Sequence, residues 1–196
     1  PSSNAVGGVN WAWLSGRANG SDIGYYFPTP STLRVLRESR TGAVSDIATN
    51  MPTTPTTRNY LSFWFDHGSN PVNAGYAYVI LPGRSASLAD YYAANPQVSI
   101  VENSTNAQCV QETTLGITSG NFWNASGYTS GGITVSGKAS VLVRKSGSQI
   151  DLSISDPTQS NSTLTVAFAT AGSNSLVSAD AGISGVVASA TNIGFT

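Results

Sequence analysis

Cysteine, histidine and methionine each occur once among 196 residues, and charged side chains make up only 10% of the chain. With Cys109 alone, no internal disulfide can form. One cysteine and one histidine, His67, fall short of the three or four ligands of an ordinary zinc site, and the ten carboxylates show no EF-hand-like spacing. No metal and no cofactor is therefore expected. No run of 18 apolar residues exists to cross a membrane as a helix. The balance of 9 Lys and Arg against 10 Asp and Glu leaves a net charge of −1, which supplies no field for a nucleic acid.

What fills the chain instead is Gly, Ser, Thr, Asn and Ala, with 40% apolar residues and 18 aromatics spread along it. Disorder needs few large apolar residues or a high net charge, so this chain folds. Low charge with abundant Ser, Thr, Asn and Tyr suits a secreted protein that handles neutral or lightly charged sugars. Between Ala107 and Val110, Cys109 reads as a buried, inert thiol. The opening Pro1-Ser2-Ser3-Asn4 has no Met, basic region or apolar leader, which implies either a removed leader or an internal cut.

Alternation with a period of two dominates. Tyr60–Phe65 reads as a strand with Tyr60, Ser62 and Trp64 on one face and Leu61, Phe63 and Phe65 on the other. Tyr76–Leu81 is apolar on both faces, as in a strand sandwiched between layers. Ile150–Ile154 and Leu164–Phe168 alternate cleanly, and Val98–Ile100 and Val141–Val143 are shorter versions. From Leu176 to Phe195 the alternation weakens, which predicts strands with a frayed end. Ser87-Leu88-Ala89-Asp90 has the form of a capping box, and Asn95-Pro96 stops the short helix that it starts. The fold class is all-β, built of antiparallel sandwiches with at most one connector helix. A boundary is expected near Pro96, where aromatic-rich, long-looped segments give way to shorter aliphatic ones.

Four motifs occur in order: Gly24-Tyr25-Tyr26-Phe27-Pro28; Arg40-Thr41-Gly42 with Ser45-Asp46-Ile47; Asp66-His67-Gly68 followed by Pro71, Ala74 and Tyr76 through Gly83; and Glu102-Asn103 with Gln108 and Val110. Over roughly residues 9–170 this order resembles polysaccharide lyase family eight, the hyaluronate, chondroitin AC and xanthan lyases. The resemblance implies that residues 1–96 are the C-terminal part of a supersandwich β-domain and residues 97–196 a small C-terminal β-sandwich, with Asp66, His67, Gly68, Asn103 and Gln108 as structural motif residues. It favours the internal cut over the removed leader.

In that family a helical toroid precedes the β-domains, and it supplies the Asn, His and Tyr that carry out β-elimination at a uronic acid. A C5–H is a poor acid until its carboxylate is neutralised, and a base must lie within hydrogen-bond reach of it. None of those three residues can be carried onto this chain, so no catalytic residue is assigned. The resemblance thus implies an inactive fragment of a secreted bacterial lyase, with hyaluronate lyase as the first expectation. Its partners would be the upstream portion of the same protein and a polymer such as hyaluronan, chondroitin or xanthan. A stand-alone carbohydrate-binding sandwich is the alternative.

Other readings of single residues are weaker. Asp66-His67 with Ser85 or Ser87 lacks a nucleophile elbow, because Gly83-Arg84-Ser85-Ala86-Ser87 has no closing Gly, and adjacent strand residues point to opposite faces. A better role for the pair is to hold the 66–75 loop. Glu38, Glu102 and Glu112 can supply a hydrolase pair only if two of them face one cleft. Arg34, Arg37 and Arg40 are candidates for contact with a uronate, Arg34 and Arg40 on one strand face and Arg37 on the other, with ion pairing to Glu38 and Asp46 the favoured use. Trp11 and Trp13, two apart on one face, are candidate sugar platforms, with packing against another domain favoured. Trp64 reads as core. The sequons at Asn19, Asn103, Asn124 and Asn161 read as chance matches in a Ser/Thr-rich bacterial chain.

Overall fold

The computed structural model describes residues 3–161, 163–172, 174–189 and 191–195; Pro1, Ser2 and the Ser162 of the last sequon lie outside them. The chain divides into two compact units, Pro1–Asn95 and Pro96–Thr196. Every strand pairing is antiparallel and a single α-helix is present among the described residues, which is the all-β class expected. No helix among them is long and apolar enough to cross a membrane.

The first unit is a four-stranded sheet of β1 (Asn4–Leu14), β2 (Ile23–Gly42), β3 (Thr56–Phe65) and β4 (Val79–Pro82), followed by α1 (Ala86–Ala94). Strand β2 runs 20 residues, pairing along one edge with β1 and along the other with β4 and then β3. Pro28 and Pro30 cannot donate to a ladder, and both fall where β2 has no register partner, between Tyr26 and Ser31. There β1 shifts register on either side of Val9. The helix begins at Ser85, whose hydroxyl accepts from the Leu88 N–H, two residues before the cap that the sequence suggests. It ends at Asn95, ahead of Pro96.

Gly24 lets α1 reach the sheet. A Cβ there would stand 3.0 Å from the Ala89 Cβ and 3.3 Å from the Leu81 Cβ, and Ala89 is fully buried. Tyr26, next on that face of β2, meets Tyr92 edge to face at 5.6 Å. Opposite β2, the register sets Trp13 against Gly24 and Trp11 against Tyr26. Directly opposed residues share a face, so both tryptophans lie on the helix-covered side.

The second unit is a β-sandwich. One sheet has the order β11-β10-β7-β6-β5, from β5 (Val98–Asn103), β6 (Ala107–Glu112), β7 (Ile117–Phe122), β10 (Ala139–Ser146) and β11 (Gln149–Ser155). The other has the order β13-β14-β12-β9-β8, from β8 (Tyr128–Ser130), β9 (Ile133–Val135), β12 (Val166–Ala169), β13 (Val187–Ala188) and β14 (Asn192–Phe195). Phe122, Val141 and Val143 of the first sheet meet Ile133, Val135, Val166 and Phe168 of the second in one buried core. Alternation is plain in β10, where Ala139, Val141 and Val143 are buried while Leu142 and Arg144 face water. Leu164 and Thr165 precede β12 instead of belonging to it, because pairing with β9 starts only at Val166.

Candidate functional site

In the first unit the sheet face opposite α1 carries an open aromatic groove of about 620 Å³. Its wall is a chain of ring contacts. Tyr25 meets Phe63 edge to face at 4.7 Å, Phe27 meets Phe65 at 5.7 Å, and Tyr76 stacks on Phe65 at 5.5 Å and on Tyr78 at 6.2 Å. His67 joins the stack, 6.4 Å from Phe65 and 6.3 Å from Tyr76. Only Val79–Pro82 of the predicted Tyr76–Leu81 strand pairs with β2, and Tyr76 to Tyr78 approach it as non-strand chain. Nor is the segment sandwiched: Tyr76 and Ile80 are 59% and 51% exposed. Apolar surface on both sides of a strand implies a second layer only if the described chain supplies one, and here the helix covers one side alone.

The Asp66–Gly68 motif closes the end of β3. The carboxylate of Asp66 accepts the Gly68 N–H at 3.0 Å and the Arg34 Nε–H at 3.1 Å, and both bonds hold its pKa below the usual value. His67 serves as a ring in the stack, while Ser85 caps α1 and shares a hydrogen bond with Ser87 at 3.0 Å. Each member of the imagined triad thus has another task.

The other face of the β2–β3 ribbon is polar and aromatic. Opposed pairs are Arg34 with Trp64, Leu36 with Ser62, Glu38 with Tyr60 and Arg40 with Arg58. Arg40 donates to Glu38 and lies over the Tyr60 ring at 5.9 Å. Arg37 pairs with Leu61 and points to the groove side, apart from Arg34 and Arg40, as the alternation requires. Asp46 pairs with none of them; its carboxylate accepts the Ala43 N–H at 2.7 Å. Trp64 is 40% exposed and not core, and Tyr60 is 49% exposed. Arg58 and Ser62 on the same face were the signal for that exposure, since a core face would not carry a guanidinium. Trp11 and Trp13 are half-buried beside α1, and the Trp13 Nε1–H donates to the Arg84 carbonyl at 3.0 Å.

In the second unit the Glu102-Asn103 to Gln108 motif is the β5–β6 hairpin. Ser104 donates to Glu102 at 2.6 Å and accepts the Asn106 and Ala107 N–H groups, while Asn103 is the register partner of Gln108. Gln108 donates to the Ser104 carbonyl and accepts from the Trp123 indole. The hydroxyls of Ser104, Ser130 and Tyr128 lower the pKa of Glu102, and the same bond raises that of Tyr128. Glu112 instead holds the next turn, accepting from the Thr114 hydroxyl and the Leu115 N–H. Glu102 pairs with Cys109, whereas Glu112 pairs with Val98. Four residues of strand separate those positions, roughly 13 Å at about 3.3 Å per residue, too far for a glycosidase pair.

Cys109 is fully buried, and burial pushes its thiol pKa up, as an inert cysteine requires. A smaller cavity of about 310 Å³ lies at one end of the sandwich, where the Lys145 ammonium sits 4.9 Å from the Phe168 ring. Among the described residues no three His, Cys, Asp or Glu come together.

Two family models match the chain. The super-sandwich domain of polysaccharide lyase family 8 matches residues 1–93, and the C-terminal beta-sandwich domain of the same family matches residues 99–165. A xanthan lyase of Bacillus sp. (strain GL1) is 46% identical over 194 residues, 96% of this chain and 20% of that protein. A hyaluronate lyase of Enterococcus faecalis is 35% identical over 165 residues, 83% of this chain and 16% of that protein. The solved structure of Paenibacillus xanthan lyase superposes with a TM-score of 0.86 at 38% identity, over 98% of this chain and 20% of that one. The chain thus spans about one fifth of the length of the relatives it matches.

Proposed function

Because the chain belongs to polysaccharide lyase family 8, we propose that it forms the β-domain portion of a secreted enzyme that cleaves acidic polysaccharides by β-elimination. Its role there is to scaffold the cleft. The elimination itself falls to the Asn, His and Tyr of a helical toroid, which the resemblance sets upstream. No side chain of this portion is given a catalytic task. Residues 1–96 complete a supersandwich with upstream strands, and residues 97–196 form the satellite sandwich.

The uncovered aromatic groove carries this reading. Tyr25, Phe63, Phe65, Tyr76 and Tyr78 surround about 620 Å³ of open groove, and the outer edge of β3 has no strand partner among the described residues. A large exposed apolar face beside an unpaired edge is the surface that another layer of strands would cover. The greater identity to a xanthan lyase, 46% against 35% for a hyaluronate lyase, makes xanthan the first substrate to try ahead of hyaluronan.

The test is to produce the chain alone and joined to the upstream portion of its parent. Xanthan, hyaluronan and chondroitin are then supplied, and the ultraviolet absorbance of the unsaturated uronate is followed. The joined protein should eliminate one of the three and run as a single species in size-exclusion chromatography. The chain alone should do neither. Elimination by the chain alone, or a well-behaved monomer without its upstream portion, would overturn the proposal.

A further inference from the structure

The face of the β2–β3 ribbon that bears Arg34, Glu38 and Arg40 contains an electrostatic fault. Arg40 and Arg58 stand directly opposite one another in the ladder, and like charges so placed weaken a strand pair. Arg40 is neutralised by Glu38. Arg58 has no carboxylate within ion-pair distance among the described residues, and its Nη1–H donates only to the carbonyl of Thr57, at 2.9 Å. Beside this pair lie two half-exposed rings, Tyr60 beneath the Arg40 guanidinium and Trp64 opposite Arg34. Tyr60 and Trp64 are four residues apart on one strand, roughly 13 Å by the rise of about 3.3 Å per residue, the span of a short run of pyranose rings.

We propose that this face is a contact strip for an acidic polysaccharide, with Arg40 and Arg58 receiving an anionic substituent and Tyr60 and Trp64 carrying sugar rings. The chemistry is complementary at both levels. A guanidinium presents a fork of N–H donors that matches carboxylate or sulfate oxygens, and an anion between the two arginines removes their repulsion. The flat apolar side of a pyranose lies well on an exposed ring whose edge stays wet. With Arg34 paired to Asp66 and Arg40 to Glu38, the remaining guanidinium of Arg58 leaves this face with one positive charge in excess, which favours an anionic over a neutral glycan. Arg37, Trp11 and Trp13 take no part, since Arg37 lies on the groove side and both tryptophans lie beside α1. The class of occupant rests on the reading that the parent acts on acidic polysaccharides, whereas the strip is assigned from this chain's own residues.

Native gel electrophoresis of the chain joined to the upstream portion of its parent, through gels containing hyaluronan, chondroitin sulfate, dextran or a DNA oligonucleotide, tests it. Retardation by hyaluronan assigns a carboxylate as the ligand group, and retardation by chondroitin sulfate alone assigns a sulfate. Arg58→Ala and Trp64→Ala should each weaken retardation about tenfold, as the loss of one charge-assisted contact or one stacked ring implies. Arg58→Lys should fall between, because it keeps the charge and loses the fork. Circular dichroism melts confirm that the variants fold. No retardation by either acidic glycan, equal retardation by dextran or DNA, or an unchanged Arg58→Ala variant would overturn the strip. An active lyase with an unaffected Arg58→Ala variant sinks the strip alone. Arg58-dependent binding in a parent that eliminates nothing sinks the lyase reading alone.

Discussion

Gly24 of β2 and Ala89 of α1 meet so closely that a Cβ on the glycine would stand 3.0 Å from the Cβ of the alanine. That contact seats the only α-helix among the described residues on the covered face of the first sheet. Gly24→Val drives two methyl groups into Ala89 and Leu81, and overpacking of this kind costs about 1–3 kcal/mol. A thermal melt should show a lowered midpoint, with Gly24→Ala falling between the variant and the parent.

The β8–β9 turn has a similar constraint with a different cause. Gly131 has φ +61°, and a Cβ there would lie 2.5 Å from the Cys109 sulfur and 3.1 Å from Thr118 Cγ2. Gly131→Ala should therefore lose about 2–4 kcal/mol in urea unfolding, from left-handed strain and overpacking together. Removing the sulfur with Cys109→Ala makes room, so the double variant should be less unstable than the two single losses combined by about 1 kcal/mol. Strict additivity would show that the clash is relieved some other way.

Asp156 ties down the chain after β11. Its carboxylate accepts the hydroxyl and N–H of Thr158 at 2.7 and 2.9 Å, and the N–H groups of Ser160 and Asn161 at 2.9 and 2.8 Å. The Thr158 hydroxyl and the Asn161 N–H are the main reasons that its pKa falls far below the usual carboxylate range. A pKa depressed on folding stabilises the protein above the unfolded-state value, and that contribution is lost as pH falls toward the folded one. The stability advantage of the parent over Asp156→Asn should therefore be full near neutral pH and shrink from about pH 5 downward. Urea midpoints across that window check it, and a pH-independent difference would contradict it.

Gln108 links the β5–β6 turn to the indole of Trp123. Gln108→Leu leaves the Ser104 carbonyl and the indole N–H without this partner, at a cost of about 1–2 kcal/mol. A lowered melting midpoint together with a changed tryptophan emission spectrum is expected. Gln108→Glu keeps the acceptor for the indole and should preserve the emission.

The strands of the second unit were legible because each buries one face within the unit. Ile150, Leu152 and Ile154 alternate with exposed Asp151 and Ser153, so the period of two survives into β11. The link from Gln108 to Trp123 was not legible, since the two ends of that bond are 15 residues apart. In the first unit the strands were found but their surroundings were misread. Tyr76 to Tyr78 looked like part of a sandwiched strand, but they lie outside the ladder, Tyr76 stacked on Phe65 and Tyr78 on Tyr76, while Trp64 looked like core and faces water. Aromatic content alone does not distinguish a covered face from one that is open. The short helix shows the same limit at a smaller scale: Ser85 and Ser87 both suit a cap, and backbone geometry chose Ser85.

By itself the sequence determined the all-β class, the strand alternation, the isolation of Cys109 and the motif order that marks the family, because each is written in local spacing and residue type. Tertiary structure alone decided that Trp11 and Trp13 lie beside a helix, that Tyr25 and Tyr76 border an open groove, and that Arg40 faces Arg58. Those are consequences of register between segments distant in the chain. A period of two says which residues share a strand face, but only pairing says what stands opposite them.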